Sequence, residues 1–230
     1  MFTGIIQEIG NVIKIDNINC KKHLTIKCKN IQSDLQIGES IACNGICLTV
    51  IKYNPNSITV EIMNQTLKIT TANKWKLNTS IHLEKAMSAS GRFNGHIVQG
   101  HVDIVAKLIK RFYEAKTLYL EFIIPSSFLN NSTSLIEQVQ SLLVEHGSIC
   151  IDGVSLTIAN IHKNTFQVAL IEHTLSLTHL GKLKTSDEVN LEFDIIGKYI
   201  NKQISLSNLG NTKSEQKNIV TEEWLLKEGF

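Results

Sequence analysis

The chain lacks a strong charge of either sign. Its 230 residues carry 23 Lys and Arg against 21 Asp and Glu, a formal net charge of +2. Like charges do not cluster into blocks, which argues against nucleic acid as the main partner. No apolar run approaches the ~20 residues of a helical membrane span, so no membrane partner is expected. The N-terminus has neither the basic stretch nor the apolar core of a secretion signal, and the expected location is the cytoplasm. Five cysteines are present, Cys20, Cys28, Cys43, Cys47 and Cys150, with no Cys-x-x-Cys pair. An odd number without such pairs fits reduced thiols rather than a disulfide framework. Cys43 and Cys47 lie in a strand-like run and are expected to face the same side. Without two further ligands nearby, no metal site is expected. A Gly-x-Gly-x-x-Gly fingerprint is also missing, which removes support for a nucleotide-dependent reductase.

What is present is a repeat. Asn44-Gly45-Ile46-Cys47-Leu48-Thr49-Val50 returns as Asp152-Gly153-Val154-Ser155-Leu156-Thr157-Ile158, 108 positions later. The same offset carries Thr66-Leu67 onto Thr174-Leu175, and Ile81-His82-Leu83-Glu84 onto Val189-Asn190-Leu191-Glu192. Nearer each start the offset is 96: Met1 to Ile6 matches Ile97 to Val102. The difference predicts twelve extra residues in the second copy, best placed in the polar stretch Pro125 to Ser134. A period this long means domain duplication rather than a solenoid. The hydrophobic content of 43% is enough for two packed cores.

Short strands dominate. Ser57 to Met63 and Thr165 to Ile171 alternate apolar and polar residues, and His23 to Cys28 and Leu118 to Ile124 are also strand-like. Asn44-Gly45, Asn54-Pro55-Asn56, Asp152-Gly153 and Lys163-Asn164 separate such runs as turns. This pattern predicts small antiparallel barrels or sandwiches, and closure into barrels removes exposed edges. Asn-Gly and Asp-Gly read as tight hairpin turns, so a purely structural role explains the glycines. It does not explain the Cys47 or Ser155 that follows, nor Thr49 and Thr157.

The end of the chain differs. Ile195, Ile196, Tyr199, Ile200 and Ile204 have helical spacing through Asn208. Such a helix covers another subunit or packs back on its own barrel. Leu209 to Lys217 reads as a polar linker. Thr221 to Phe230 reads as a capped helix, with Thr221 at its N-cap and Gly229 at its end.

The two copies are joined by Gly95-His96-Ile97-Val98-Gln99-Gly100-His101-Val102-Asp103. By itself this segment reads as a flexible link. Together with the opening Met-Phe-Thr-Gly-Ile-Ile and both Leu-Thr motifs, however, it resembles the riboflavin synthase family from Met1 to about Asn201. The final Thr-Glu-Glu-Trp-Leu is similar to tails of some members. The resemblance implies two similar six-stranded antiparallel barrels, at residues 1–96 and 97–194, and a C-terminal helical oligomerisation segment at 195–230. It implies a homotrimer, with lumazine synthase as a further partner, and no metal or organic cofactor. It also implies transfer of a four-carbon unit between two molecules of 6,7-dimethyl-8-ribityllumazine, giving riboflavin and 5-amino-6-ribitylaminouracil. The rival expectation is a non-catalytic lumazine- or flavin-binding protein of the same fold.

Carried over residue by residue, the resemblance assigns a first pocket to Gly4, Ile5, Ile6, Cys47, Leu48, Thr49, Glu61, Ile62, Met63, Asn64, Gln65 and Thr66. It assigns a second to Gly100, His101, Val102, Ser155, Leu156, Thr157, Ala169, Leu170, Ile171, Glu172, His173 and Thr174. His101 is the expected proton-transfer or ring-positioning residue, because imidazole titrates near neutral pH. Cys47 against Ser155 is the main asymmetry of the repeat. Ser40 and Asp194 also match family positions near the site; their alternatives are a surface serine before a strand and a strand-end aspartate. One departure concerns His146, which stands where a lysine is expected to reach a neighbouring chain's ligand.

Overall fold

The computed structural model describes residues 1–18, 21–125 and 133–213. Cys20 and the helix expected over 221–230 lie outside them. The first copy contains β1 (Glu8–Ile18), β2 (Lys21–Lys27), β3 (Ser40–Cys43), β4 (Ile46–Asn54), β5 (Ser57–Ile62), α1 (Asn64–Ile69) and β6 (Ser80–Lys85). The second contains β7 (Ile104–Glu114), β8 (Thr117–Ile123), α2 (Thr133–Gln140), β9 (Ser148–Ile151), β10 (Val154–His162), β11 (Thr165–Leu170), α3 (Glu172–Leu177) and β12 (Glu188–Phe193). Each set of six strands closes into an antiparallel barrel, ordered β1-β2-β5-β4-β3-β6 and β10-β11-β8-β7-β12-β9.

Alternation supplies the cores. Along β5 and β11 every second side chain is fully buried, from Ile58, Val60 and Ile62 to Phe166, Val168 and Leu170. The copies share their irregularities as well. Register slips fall between Val12 and Lys14, Val50 and Lys52, Leu108 and Lys110, and Ile158 and Asn160. These are the same two places in each copy. A bulge bends and twists its strand, which lets so small a sheet close.

The extra residues fall between β8 and β9, and residues 126–132 of the expected stretch Pro125 to Ser134 lie outside those described. Twelve residues separate Lys27 from Ser40, and twenty-four separate Ile123 from Ser148. The insertion carries α2, and Val139, Leu142 and Leu143 pack on the second core.

Asn44-Gly45 and Asp152-Gly153 are two-residue hairpin turns with positive φ at all four residues (44°, 75°, 45° and 83°). This corrects the reading of Cys43 and Cys47 as one strand: they flank a turn, with Ala42 opposite Cys47 and Cys43 opposite Ile46. Cys43 is fully buried and Cys47 half-buried. The two turns also meet. A Cβ on Gly45 would stand 2.7 Å from the Gly153 nitrogen, so the hairpins touch backbone to backbone.

A buried polar seam surrounds that contact. Asn44 Oδ1 accepts the His82 N–H at 2.6 Å, and the Asn190 side chain donates to the Asn44 carbonyl at 2.8 Å. Asn190 Oδ1 accepts the Thr71 N–H at 2.8 Å. His82 Nε2 accepts the His179 N–H at 2.8 Å, so its Nδ1 carries the proton and donates to the Asp152 carbonyl at 2.9 Å. The rings of His82 and His179 stack at 3.7 Å. Burial holds both below the usual imidazole value, His179 at about 4.

The remaining unit begins at Ile196 and contains most of α4 (Ile195–Lys213). The helix runs past Asn208, so Leu209 to Lys213 continue it instead of forming the polar linker read from composition. Ile196, Tyr199, Ile200 and Ile204 are exposed along it.

Candidate substrate-binding sites

The segments that lead into the barrels cross over. Phe2 pairs with Val98, N–H to carbonyl at 2.7 Å and back at 3.1 Å. From this bridge, residues 3–6 run to the second barrel and residues 99–102 to the first. The Gly4 carbonyl accepts the Ser155 N–H at 2.8 Å, and Ile6 is buried in the second core. The Gly100 carbonyl accepts the Cys47 N–H at 2.8 Å, and Val102 is buried in the first core. The contacts at this point therefore cross the grouping expected from sequence. Gly4 lies against Ser155 and Ile6 packs with Leu156, while Gly100 lies against Cys47 and Val102 packs with Leu48. The physical reason is burial: Ile6 and Val102 each pack into the other copy's core.

The glycines make the crossing possible. Gly4 and Gly100 have φ of 78° and 79°, and a Cβ on either would stand 2.6 Å from the Cβ of Ser155 or Cys47. Two buried carboxylates hold them. Glu84 accepts the Thr3 N–H and hydroxyl, both at 2.7 Å, and the Gly4 N–H at 3.0 Å. Glu192 accepts the Gln99 N–H at 2.7 Å and the Gly100 N–H at 2.9 Å. Burial raises the Glu84 pKa, and the N–H donors act against that rise. Neither glutamate was singled out from sequence as a site residue, although both end the repeated Ile-His-Leu-Glu and Val-Asn-Leu-Glu segments. A charged residue at the same place in two otherwise buried strands was the available signal.

His96 was likewise passed over in favour of His101. It is buried, and its Nδ1 lies 2.8 Å from Ser155 Oγ. Burial lowers its pKa, while the negative charge of Asp194 works the other way. A neutral imidazole touching a hydroxyl is an arrangement that can move a proton. His101 is exposed, one residue from the Gly100 contact with Cys47. His96 thus lies beside Ser155, while His101 follows the glycine that lies against Cys47.

The outer walls follow strand register. In the first barrel Ser40 lies opposite Thr49, and Thr49 opposite Glu61. Beyond the strand, Met63 is 52% exposed, and its counterpart Ile171 is 64% exposed, so each barrel leaves one apolar side chain uncovered there. Leu48 and Ile62 point into the first core, and Leu156 and Leu170 into the second. These four can contribute only backbone groups. Asn64 to Thr66 and Glu172 to Thr174 form the first turns of α1 and α3. Ser40 also lines a cleft of about 750 Å³ with Thr3, Ile5, Glu84 and Arg92.

His146 is exposed, with φ of 65°, and its N–H donates to the Ile158 carbonyl at 2.9 Å. Gly38 holds the same place in the first copy, with φ of 94° and its N–H on the Val50 carbonyl at 2.8 Å. Among the described residues no group of three or more His, Cys, Asp or Glu side chains is placed to hold a metal ion. No described helix is long and apolar enough to cross a membrane.

Comparison with known proteins matches this layout. The lumazine binding domain family model matches twice, at residues 3–86 and 99–194. The chain is 37% identical to the riboflavin synthase of Bacillus subtilis over 230 residues, covering 100% of both chains. It is 36% identical to that of Saccharomyces cerevisiae over 218 residues, covering 90% of this chain and 87% of the yeast protein. Among solved structures, LumP complexed with 6,7-dimethyl-8-(1'-D-ribityl) lumazine superimposes with a TM-score of 0.71. It covers 84% of this chain and 98% of LumP at 23% identity, which establishes a common fold.

Proposed function

Because the chain belongs to the riboflavin synthase family, we propose that it transfers a four-carbon unit between two molecules of 6,7-dimethyl-8-ribityllumazine. The products are riboflavin and 5-amino-6-ribitylaminouracil, and the enzyme is a transferase. The observation that carries this reading is the pair of equivalent sites with unequal chemistry. Gly100 lies against Cys47 in one and Gly4 against Ser155 in the other, each locked by its own glutamate. A reaction between two copies of one molecule needs two such sites, and holding both substrates removes much of the entropic barrier, up to ~7–11 kcal/mol in well-aligned cases.

The chemistry needs a proton removed from a ring methyl of one lumazine and nucleophilic attack on the other ring. The lumazine rings accept the electrons, so the protein supplies orientation and a modest base. Ser155 with His96 serves one site, and Asp194 adjusts the charge felt by His96. His101 and Cys47 serve the other. Thr49 and Thr157 offer hydroxyls that can both donate and accept. Ser40 stands in the cleft beside Ile5.

The working form is a homotrimer, in which the first barrel of one chain faces the second barrel of its neighbour. The exposed row Ile196, Tyr199, Ile200 and Ile204 on α4 supports this, because such a row is normally covered. In this reading His146 is the residue that reaches the neighbour's ligand. The enzyme acts in the cytoplasm, without metal or organic cofactor, and lumazine synthase is a further partner as supplier of the substrate. Incubating the protein with 6,7-dimethyl-8-ribityllumazine alone tests the reading. Riboflavin and the uracil should appear in equal amounts. Tight binding without product would instead make the chain a lumazine-binding protein.

A further inference from the structure

The outer walls of the two barrels differ much more than their repeated motifs do. In the first barrel, strand register sets Thr49 beside Glu61, Glu61 beside His23, and His23 beside Asp16. In the second, Ala169 lies beside Tyr119, and Tyr119 beside Phe112. Ile158 opposite Val168 brings Thr157 next to Ala169. The two rows occupy the same positions of the repeat. A polar, charged wall in one copy is an aromatic wall in the other.

The charged wall is organised around one carboxylate. Lys21 Nζ donates to Glu61 Oε1 at 2.9 Å, and His23 Nε2 lies 3.0 Å from Glu61 Oε2. The lysine and histidine hold the Glu61 carboxyl below its usual range. It is therefore ionised at neutral pH and can only accept, so His23 Nε2 carries the proton and donates. Each oxygen retains a free lone pair, and the residue faces outward beside Thr49. In the second barrel Tyr119 stacks on Phe112 at 5.3 Å, and Lys110 Nζ stands 4.8 Å from the Phe112 ring centre. At these positions that wall offers a flat apolar surface; its carboxylate, Glu121, lies two residues further along β8 and accepts from the Gln167 side chain at 3.1 Å.

We infer that His23 and Lys21 are positioning residues. They aim the Glu61 carboxylate at the first site, so that this site selects its ligand by hydrogen bonds from hydroxyl and ring N–H groups. The second site selects by stacking against Tyr119. Two copies of one substrate would then bind with different geometry and different strength before any chemistry occurs, which is what separate donor and acceptor roles require. The inference rests on the proposed function, because it needs one ligand type to fill both barrels.

The test is an equilibrium titration of the full chain with 6,7-dimethyl-8-ribityllumazine, followed by ligand fluorescence. Thr49→Val and Thr157→Val assign the two classes of site, each weakening its own barrel. His23→Ala is expected to weaken the first class about tenfold, the effect of losing one charge-assisted hydrogen bond. The second class should not move. His23→Gln, which keeps an N–H donor, is expected to restore most of the affinity, and a merely structural role for the ring would not give that rescue. Tyr119→Ala should weaken the second class and spare the first. Equal loss from both classes, or no change with His23→Ala, would overturn the inference while leaving the proposed function standing. If the unaltered protein binds no lumazine at all, the proposed function itself fails.

Discussion

Asn44 and Asp152 hold the same position in the two copies, and the side chain of each fastens the strand beside it. Asn44 Oδ1 accepts the His82 N–H at 2.6 Å, and Asp152 Oδ1 accepts the Asn190 N–H at 2.8 Å. The geometry is shared, but only one of the two can ionise. Asp152 is buried at the meeting of the hairpins, and burial raises its pKa from 3.8 to about 7.

Stability should therefore depend on pH through Asp152. A folded-state pKa above the unfolded one means that the folded protein favours the protonated acid. The penalty is absent below about pH 4, grows as pH rises, and levels off above about pH 7. Asp152→Asn copies the first barrel and removes the penalty. It should raise stability by roughly 1–3 kcal/mol at pH 8 and leave it unchanged near pH 4. Heat-unfolding of both proteins across that range checks this, and a gain of the same size at every pH would count against it. The buried His82 and His179 act in the other direction, destabilising the fold as pH falls, but they are common to both proteins.

The crossing segments should not tolerate a side chain at their glycines. Gly100→Ala meets Cys47 Cβ at 2.6 Å and also has an unfavourable φ of 79°. A loss of about 2–4 kcal/mol is expected. Gly38→Ala shares the positive φ, 94°, but opens onto empty space and should lose only ~1 kcal/mol. Chemical denaturation of the pair separates the clash from the backbone strain.

Glu192→Gln should loosen the first site without unfolding the barrel. The amide keeps one acceptor for the Gln99 and Gly100 N–H groups, where the carboxylate had two. Lumazine affinity at the first site should fall roughly three- to thirtyfold. Site-resolved titration reads this, and an effect confined to the second site would contradict the crossover.

His96 and Ser155 should act as a unit. If their 2.8 Å contact moves a proton, His96→Gln and Ser155→Ala each lower kcat about a hundredfold, and the double variant loses little more. Additive losses in a double-variant cycle would separate their roles.

The left-handed turn at His146 strains a residue with a Cβ, and the first copy uses Gly38 there. His146→Gly should raise stability by about 0.5–1 kcal/mol. If His146 also touches a neighbour's ligand, the same variant should raise KM, so stability and affinity would move in opposite senses.

Most of this architecture could be read without coordinates. The duplication, the place of the twelve-residue insertion and both Asn/Asp-Gly hairpins follow from local pattern. Period-two alternation and positive-φ turn residues act over a few neighbours, so they survive in the linear order. The glycines and both Leu-Thr motifs were recognisable for similar reasons, whereas Glu61 came only from the family resemblance. His96 was not, because a histidine in a Gly-rich junction has no local signature of the hydroxyl it meets 59 positions later. The extent of α4 was also missed, since a polar stretch continues a helix as easily as it ends one.

The tertiary structure decided which copy serves which site. Sequence order suggests that Gly4, Ile5 and Ile6 serve the barrel they precede. Instead Ile6 is buried in the second core and Val102 in the first, and the backbone between them is fixed by Glu84 and Glu192. The repeat itself determined that there would be two equivalent barrels. Only the folded chain determined that each barrel core would take an apolar residue from the other copy's leading segment, because which buried residue reaches which core depends on the path of the backbone.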